Sequence, residues 1–389
     1  MKIIMLYKKA TTIGAILTIL FSLSFLYDLS YGNSGTITQM PESEYAEFLD
    51  NAAAVIKTNY ENISTWQGEL SIQEDNYYYG GKWGSLFHID PNDPVFYSNS
   101  IRRSVSDLEK FAVDVRNNKL YTERGMPNVK FNALDMDRDI ITKREYSPAI
   151  SIVTSDEYLS YEPNIRYGYG KIINGKGAGE AAIRWPAEKA RKEQWANVRD
   201  PRRYFLADNK KAVWEELQEL RNHITNPSPD IPPGKAPQIS ITTEDMGDHT
   251  KTHIKAGFHG SPDCTNCENE FVYIIKTLDS SVGLNMVRRE VTDKAGKTLQ
   301  TLDITYEKIG NIYVPKTIHF VIFSNPDLKI HFDSWITFTK SILNSPIPGE
   351  TFNYRNLGLK DDDRLIDKIA GKEYKYQDAN LILLEAPNK

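Results

Sequence analysis

The sequence predicts an α+β fold built on a strongly curved antiparallel sheet. From Leu278 to Phe323 it reads as three strand-like runs, in which Leu302, Ile304 and Tyr306, then Ile318, Phe320 and Ile322, alternate with polar neighbours. Alternation of this kind gives each run one apolar face. Asp293-Lys294-Ala295-Gly296 and Gly310-Asn311 supply the positive-φ residues that tight reversals need. A meander like this curves, with an apolar concave side suited to holding something apolar.

At 389 residues the chain is long enough for one large domain or two modest ones. Basic and acidic residues number 47 and 52, for a net charge of −5, and no like-charged block stands out. That balance argues against a nucleic-acid partner. With 22 Tyr, 15 Phe and 6 Trp, the composition is that of a folded, sheet-rich protein.

Taken in chain order, Lys2, Lys8 and Lys9 precede an apolar run from Ala10 to Leu26. Ser30 and Gly32 then occupy the −3 and −1 positions of a signal cleavage site. Residues 1–32 are expected to be a signal helix that exports the chain to the periplasm. The run 10–26 is also close to the length that spans ~30 Å of hydrocarbon, so an uncleaved inner-membrane anchor stays open.

Next, Tyr45, Phe48, Leu49, Ala52, Val55, Ile56 and Tyr60 fall at spacings of three and four, the mark of an amphipathic helix. Trp66, Gly68, Leu70 and Ile72 then alternate with polar residues, so the helix hands over to a half-buried strand. Phe111, Val113 and Val115 repeat the alternation before an Asn117-Asn118 turn, and short strands are expected at 94–105, 148–154 and 157–161.

Between about 163 and 237 we expect a helical insertion, with one helix near 186–197 and another carrying Val213, Trp214, Leu217, Leu220 and Ile224. It ends at the proline-rich 226–234, where a domain boundary is the alternative. Seven further strands are expected from 238 to 339. The segment from Pro346 is expected to wrap the sheet edge. Residues 33–389 are thus read as one domain.

Several of these residues carry a family likeness. Trp66-Gln67-Gly68, Gly283…Arg288-Arg289-Glu290, Asp293…Gly296, Tyr306-Glu307…Gly310…Tyr313-Val314-Pro315-Lys316, Asn344…Pro346-Ile347-Pro348…Phe352 and Leu357-Gly358-Leu359…Ile366-Asp367 resemble the LolA-like lipoprotein-carrier superfamily, nearest to exported proteins of planctomycete-type bacteria. The resemblance implies an unclosed half-barrel with helices covering its concave face. It also implies a ligand, an acyl chain of a lipid or lipoprotein, or a hydrophobic peptide segment. Trp66, Leu70, Phe111, Val113, Phe320 and Ile322 would line the cavity, with a closed core as the simpler reading of the same residues.

Catalytic signatures are missing. The glycines at 168–179 fit neither the P-loop nor the dinucleotide fingerprint, and Gly-x-Ser-x-Gly and His-Glu-x-x-His do not occur. His259-Gly260-Ser261-Pro262-Asp263 gathers triad residue types by adjacency alone. Cys264 and Cys267 are read first as a disulfide of the exported chain, then as free thiols, then as zinc ligands with His249, His253 or His259. No metal and no cofactor is expected. Arg288 and Arg289 fall on opposite faces of one strand, so one is a candidate to meet an anionic headgroup or carboxylate, with a surface charge as the default reading.

The expected function is therefore a non-catalytic exported protein binding lipid or acylated segments, touching the membrane through residues 10–26 if these are retained. The alternative is an envelope protein-interaction or stress-sensing module with a protein partner and no lipid cargo.

Overall fold

The computed structural model describes residues 36–81, 91–125, 128–135, 138–142, 149–161, 166–168, 171–173, 181–187, 212–226, 237–259, 271–323 and 329–384. The expected signal helix, Cys264, Cys267 and the side chain of His259 lie outside them. Among the described residues no helix is long and apolar enough to cross a membrane.

Strand β1 (Thr36–Gln39) leads into helix α1 (Tyr45–Glu61), and the chain then enters two long strands, β2 (Thr65–Tyr79) and β3 (Ser100–Asp114). Short strands follow: β4 (Lys119–Arg124), β5 (Asn128–Ala133), β6 (Arg138–Thr142), β7 (Ala149–Val153), β8 (Glu157–Tyr161), β9 (Arg166–Gly168), β10 (Lys171–Ile173) and β11 (Ala181–Pro186). Helix α2 (Val213–Thr225) precedes the meander β12 (Gln238–Asp245), β13 (Thr250–His259), β14 (Phe271–Asp279), β15 (Asn285–Asp293), β16 (Thr298–Ile309), β17 (Ile312–Phe323) and β18 (Ile330–Leu343). The chain closes with β19 (Arg364–Asp367), β20 (Lys372–Gln377) and β21 (Asn380–Leu383).

All but β9 and β10 join one 19-stranded sheet. Its ladder runs from β1 through β12–β18 to β2 and β3, continues by β4, β7, β8 and β11, and ends at β19, β20 and β21. The terminal strands β1 and β21 do not pair with each other among the described residues, so the sheet is unclosed. Among the described residues every pairing is antiparallel except β11 with β19. Register shifts at Thr277/Leu278, Val291/Thr292, Thr305/Tyr306, Ile322/Phe323 and Phe338/Lys340 mark bulges, which bend and twist the strands that carry them.

The turns follow from sequence. Asp293 Oδ1 accepts from the Ala295 and Lys297 amides, and Gly296 takes φ +82°. At the β16–β17 hairpin Gly310 has φ +64°.

Three local expectations change. Residues 94–97 form a 3₁₀ turn, because Pro94 opens it and the Asp93 side chain accepts from the Val95 amide; the strand starts at Ser100. Residues 181–186, inside the stretch expected to be a helical insertion, are strand β11, sandwiched between β8 and β19; the helix expected near 186–197 falls almost wholly on residues 188–211, which lie outside the described set. The C-terminal segment covers a face of the sheet as well as its edge. Phe352, Leu357 and Leu359 pack with Ala112, Tyr121, Ile152 and Leu159 in a second core, because β3, β4, β7 and β8 are apolar on both faces.

Candidate functional site

The principal core is assembled from one face of the sheet and both helices. Trp66, Leu70 and Ile72 of β2, Phe111 and Val113 of β3, Ile318 of β17 and Phe338 of β18 supply the sheet side. Leu49, Ala52, Ile56 and Tyr60 of α1, with Val213, Leu217 and Leu220 of α2, supply the helix side. At the centre the Trp66 ring stacks on Phe338 at 5.5 Å, and Phe111 meets both edge-on at 5.5 and 5.9 Å. The buried Trp66 indole N–H finds no hydrogen-bond partner among the described residues.

Of the six residues the sequence singles out, the structure gathers five. Trp66, Leu70, Phe111 and Val113 are fully buried in this core, and Phe320 is partly buried against it. Phe320 meets Phe332 edge-on at 5.9 Å. Ile322, half-buried farther along β17, stands apart from the cluster.

The two helices are attached differently. Asn59 of α1 clamps the start of β17, its amide donating to the Tyr313 carbonyl at 2.8 Å and accepting from the Tyr313 N–H at 2.9 Å. Helix α2 starts with the Glu215 carboxylate accepting from the Ala212 N–H at 2.8 Å. It reaches the sheet through Glu216, which pairs with Lys276 of β14 at 2.7 Å, and it meets α1 through Arg221 and Asp50 at 3.0 Å. Sequence reasoning missed Lys276, a lysine on the core side of its strand; its position between Ile274 and Leu278 was the available signal.

Where the helices reach the end of β3 there is a cleft of about 170 Å³, bordered by Lys57, Tyr60, Val115 and Trp214. Two of these lining side chains, Tyr60 and Trp214, touch each other, with ring centroids 5.6 Å apart. Nearby, the Tyr306 hydroxyl donates to the Met286 carbonyl at 2.9 Å, and burial, followed by the neighbouring Tyr60, pushes its phenol well above the usual range. Of the two strand arginines, Arg288 is on the surface, bonded to Asp303 at 2.8 Å, whereas Arg289 is buried. Asp363, the last residue of the run Asp361-Asp362-Asp363, is a structural anchor that accepts from the Tyr161 hydroxyl at 2.9 Å and the Lys360 amide at 2.7 Å. Among the described residues no group of three or more His, Cys, Asp or Glu converges as metal ligands would.

No family model and no curated protein matches the sequence. Solved structures align with much of the chain. A LolA superfamily protein from Nitrosomonas europaea aligns at 10% identity over 79% of this chain and 99% of its own, with a TM-score of 0.34. This chain is similar to that LolA-type protein. A DUF1329 family protein from Desulfovibrio piger aligns at 9% identity over 80% and 98% of the two chains, with a TM-score of 0.31. An outer-membrane lipoprotein-sorting protein domain from Vibrio parahaemolyticus aligns at 8% identity over 79% and 99%, with a TM-score of 0.30. At such identities the likeness assigns no ligand to this chain.

Proposed function

We propose that this chain is an exported, non-catalytic binding protein that holds an acyl chain or another hydrophobic segment on the apolar face of a half-barrel. The helices cover the concave side, residues 33–389 act as one domain, and residues 1–32 direct export or anchor the chain in the inner membrane. The observation that carries this reading is the unequal fastening of the two helices to one apolar face. Helix α1 is clamped to β17 by Asn59, while α2 meets the sheet through its apolar stripe and, among the described residues, through the Glu216–Lys276 ion pair. In this reading α2 is the moving part. Its displacement would widen the cleft at Tyr60 and Trp214 and open the ring cluster, with Phe320 and Ile322 extending the wall. Each acyl methylene buried there contributes ~0.8 kcal/mol.

The test is titration of delipidated protein with a fluorescent long-chain fatty acid. Uptake at micromolar concentration is expected, weakened in Phe320→Glu, whose half-buried side chain can change without emptying the core. No uptake at that concentration overturns the reading.

A second reading, a protein-recruiting module, draws on β21. This strand ends the sheet and exposes Ile382 and Leu383, a surface for strand addition. A stoichiometric protein partner captured without lipid, and lost in Ile382→Lys, would favour it.

A further inference from the structure

The face of the sheet opposite the core carries a built pocket. Asp303, His319, Trp335, Gln73 and Ser106 are successive cross-strand neighbours on β16, β17, β18, β2 and β3. The adjacent row holds Thr317, Thr337, Ser71 and Leu108. Side chains alternate along a strand, and Ile318, Ile336 and Ile72 beside these residues belong to the principal core, so both rows face away from it. Trp335 is 45% exposed there, an unusual site for the largest apolar side chain.

On one side the indole is held in place. His319 stacks on it with centroids 3.8 Å apart and planes 13° from parallel, and His319 Nε2 bonds Asp333 at 2.9 Å. On the side of β2 and β3, Trp335 borders a pocket of about 380 Å³ with Ser71, Gln73, Ser106, Leu108 and Thr337. The pocket exists because β3 changes partners at this point. Its first half pairs with β5 and its second with β4, and between them the Gly125 amide bonds the Leu108 carbonyl at 2.7 Å. The one carboxylate in the lining, Asp107, is neutralised by Arg124.

We propose that this pocket binds a neutral saccharide, with Trp335 as the platform for a pyranose ring. The C–H face of a pyranose is apolar and presents weakly positive hydrogens to the negative face of the indole. Its rim of hydroxyls needs partners that both donate and accept, which Ser71, Gln73, Ser106 and Thr337 do. The volume falls within the ~300–1,000 Å³ of small-ligand sites. An extended peptide would need free main-chain groups, and β18, β2 and β3 have spent theirs on one another along the pocket floor. An acyl chain would leave those hydroxyls and the Gln73 amide unpaired. The site stands independently of the carrier reading, since it lies on the other face.

Calorimetric titration of the purified full chain with cellohexaose and chitohexaose tests the proposal. Saturable binding of at least one at millimolar concentration or below is expected, unchanged by prior saturation with fatty acid. Trp335→Ala should weaken it about tenfold or more with an unaltered circular dichroism spectrum, whereas Trp335→Tyr should retain most of the affinity and Trp185→Phe all of it. Failure of both sugars to bind, equal binding by Trp335→Ala, or binding of a proline-rich peptide that Trp335→Ala abolishes while the sugars remain inert would each overturn it.

Discussion

Lys276 on β14 and Glu216 on α2 form an ion pair of 2.7 Å, with the lysine side chain 8% and the glutamate 20% exposed. Breaking a buried pair from one side leaves an uncompensated charge, which costs more than the intact pair contributes. Glu216→Gln should therefore destabilise the protein by about 3 kcal/mol, measured as the shift of the urea midpoint at constant slope. Replacing both partners, as Lys276→Met with Glu216→Leu, should recover most of that loss. A single variant indistinguishable from the unaltered protein would mean that α2 is not fastened there.

Gly68 occupies the point where β2 passes the bulge in β18. A Cβ at Gly68 would lie 2.0 Å from the Lys340 carbonyl oxygen and 3.3 Å from the Phe111 ring. The obstacle is backbone, so it cannot swing aside. Gly68→Ala should cost roughly 1–3 kcal/mol, at the upper end of that range. Gly349→Ala, which meets nothing within 4 Å, is the matched control. Equal thermal midpoints for the two variants would refute the close approach.

The alternation of Trp66, Leu70 and Ile72 was sufficient to place a strand and its inward face, since all three are buried in one core. Alternation fails where both faces are covered. In Phe111-Ala112-Val113 the outer two residues join the principal core and Ala112 joins the second. An unbroken apolar triplet was the local sign of that two-sided burial. Its cover, Phe352 and Leu357, lies more than two hundred residues downstream, beyond the reach of any periodic pattern. Strand β11 was illegible for the same reason. Ala181-Ala182-Ile183 has no strong strand propensity, and its parallel partner β19 is joined to it by Arg184 and Asp367, 183 residues apart. The Lys276–Glu216 contact needs the helix to be seated before it exists, so sequence could place the two residues on a strand and a helix but not opposite each other.

Asp367 is buried at the junction of β11 and β19. Burial alone would raise its carboxyl, but the Ala370 amide, the Arg184 guanidinium and the Ile369 amide together hold it below the ordinary aspartate range. A carboxyl depressed on folding contributes stability that is present above its unfolded pKa, about 3.9, and is lost as pH falls through the folded value. Stability should therefore drop below about pH 4. Asp367→Asn should flatten that part of the profile and cost roughly 1.5–3 kcal/mol at neutral pH, as expected for hydrogen bonds to a charged group. Urea midpoints measured across the acid range would check it; an unchanged acid limb in Asp367→Asn assigns the loss elsewhere.

Phe338 decides whether the ring cluster is solid core or cavity wall. It is fully buried between Trp66 and Phe111, and a phenyl ring packed on all sides costs about 3–5 kcal/mol to truncate, because the neighbours collapse only partly into the space. A ring bordering an already open cavity has partners on one side only and costs far less. Phe338→Ala is expected to fall in the larger range, since α1 and α2 share this core. The space it leaves is lined by apolar groups and should stay dry, taking up an apolar guest. A short-chain fatty acid should then raise the melting temperature of Phe338→Ala more than that of the unaltered protein, following ligand linkage. A cost near or below 1 kcal/mol would instead mean that the cavity exists before any cargo arrives, and α2 would no longer need to move for a ligand to enter.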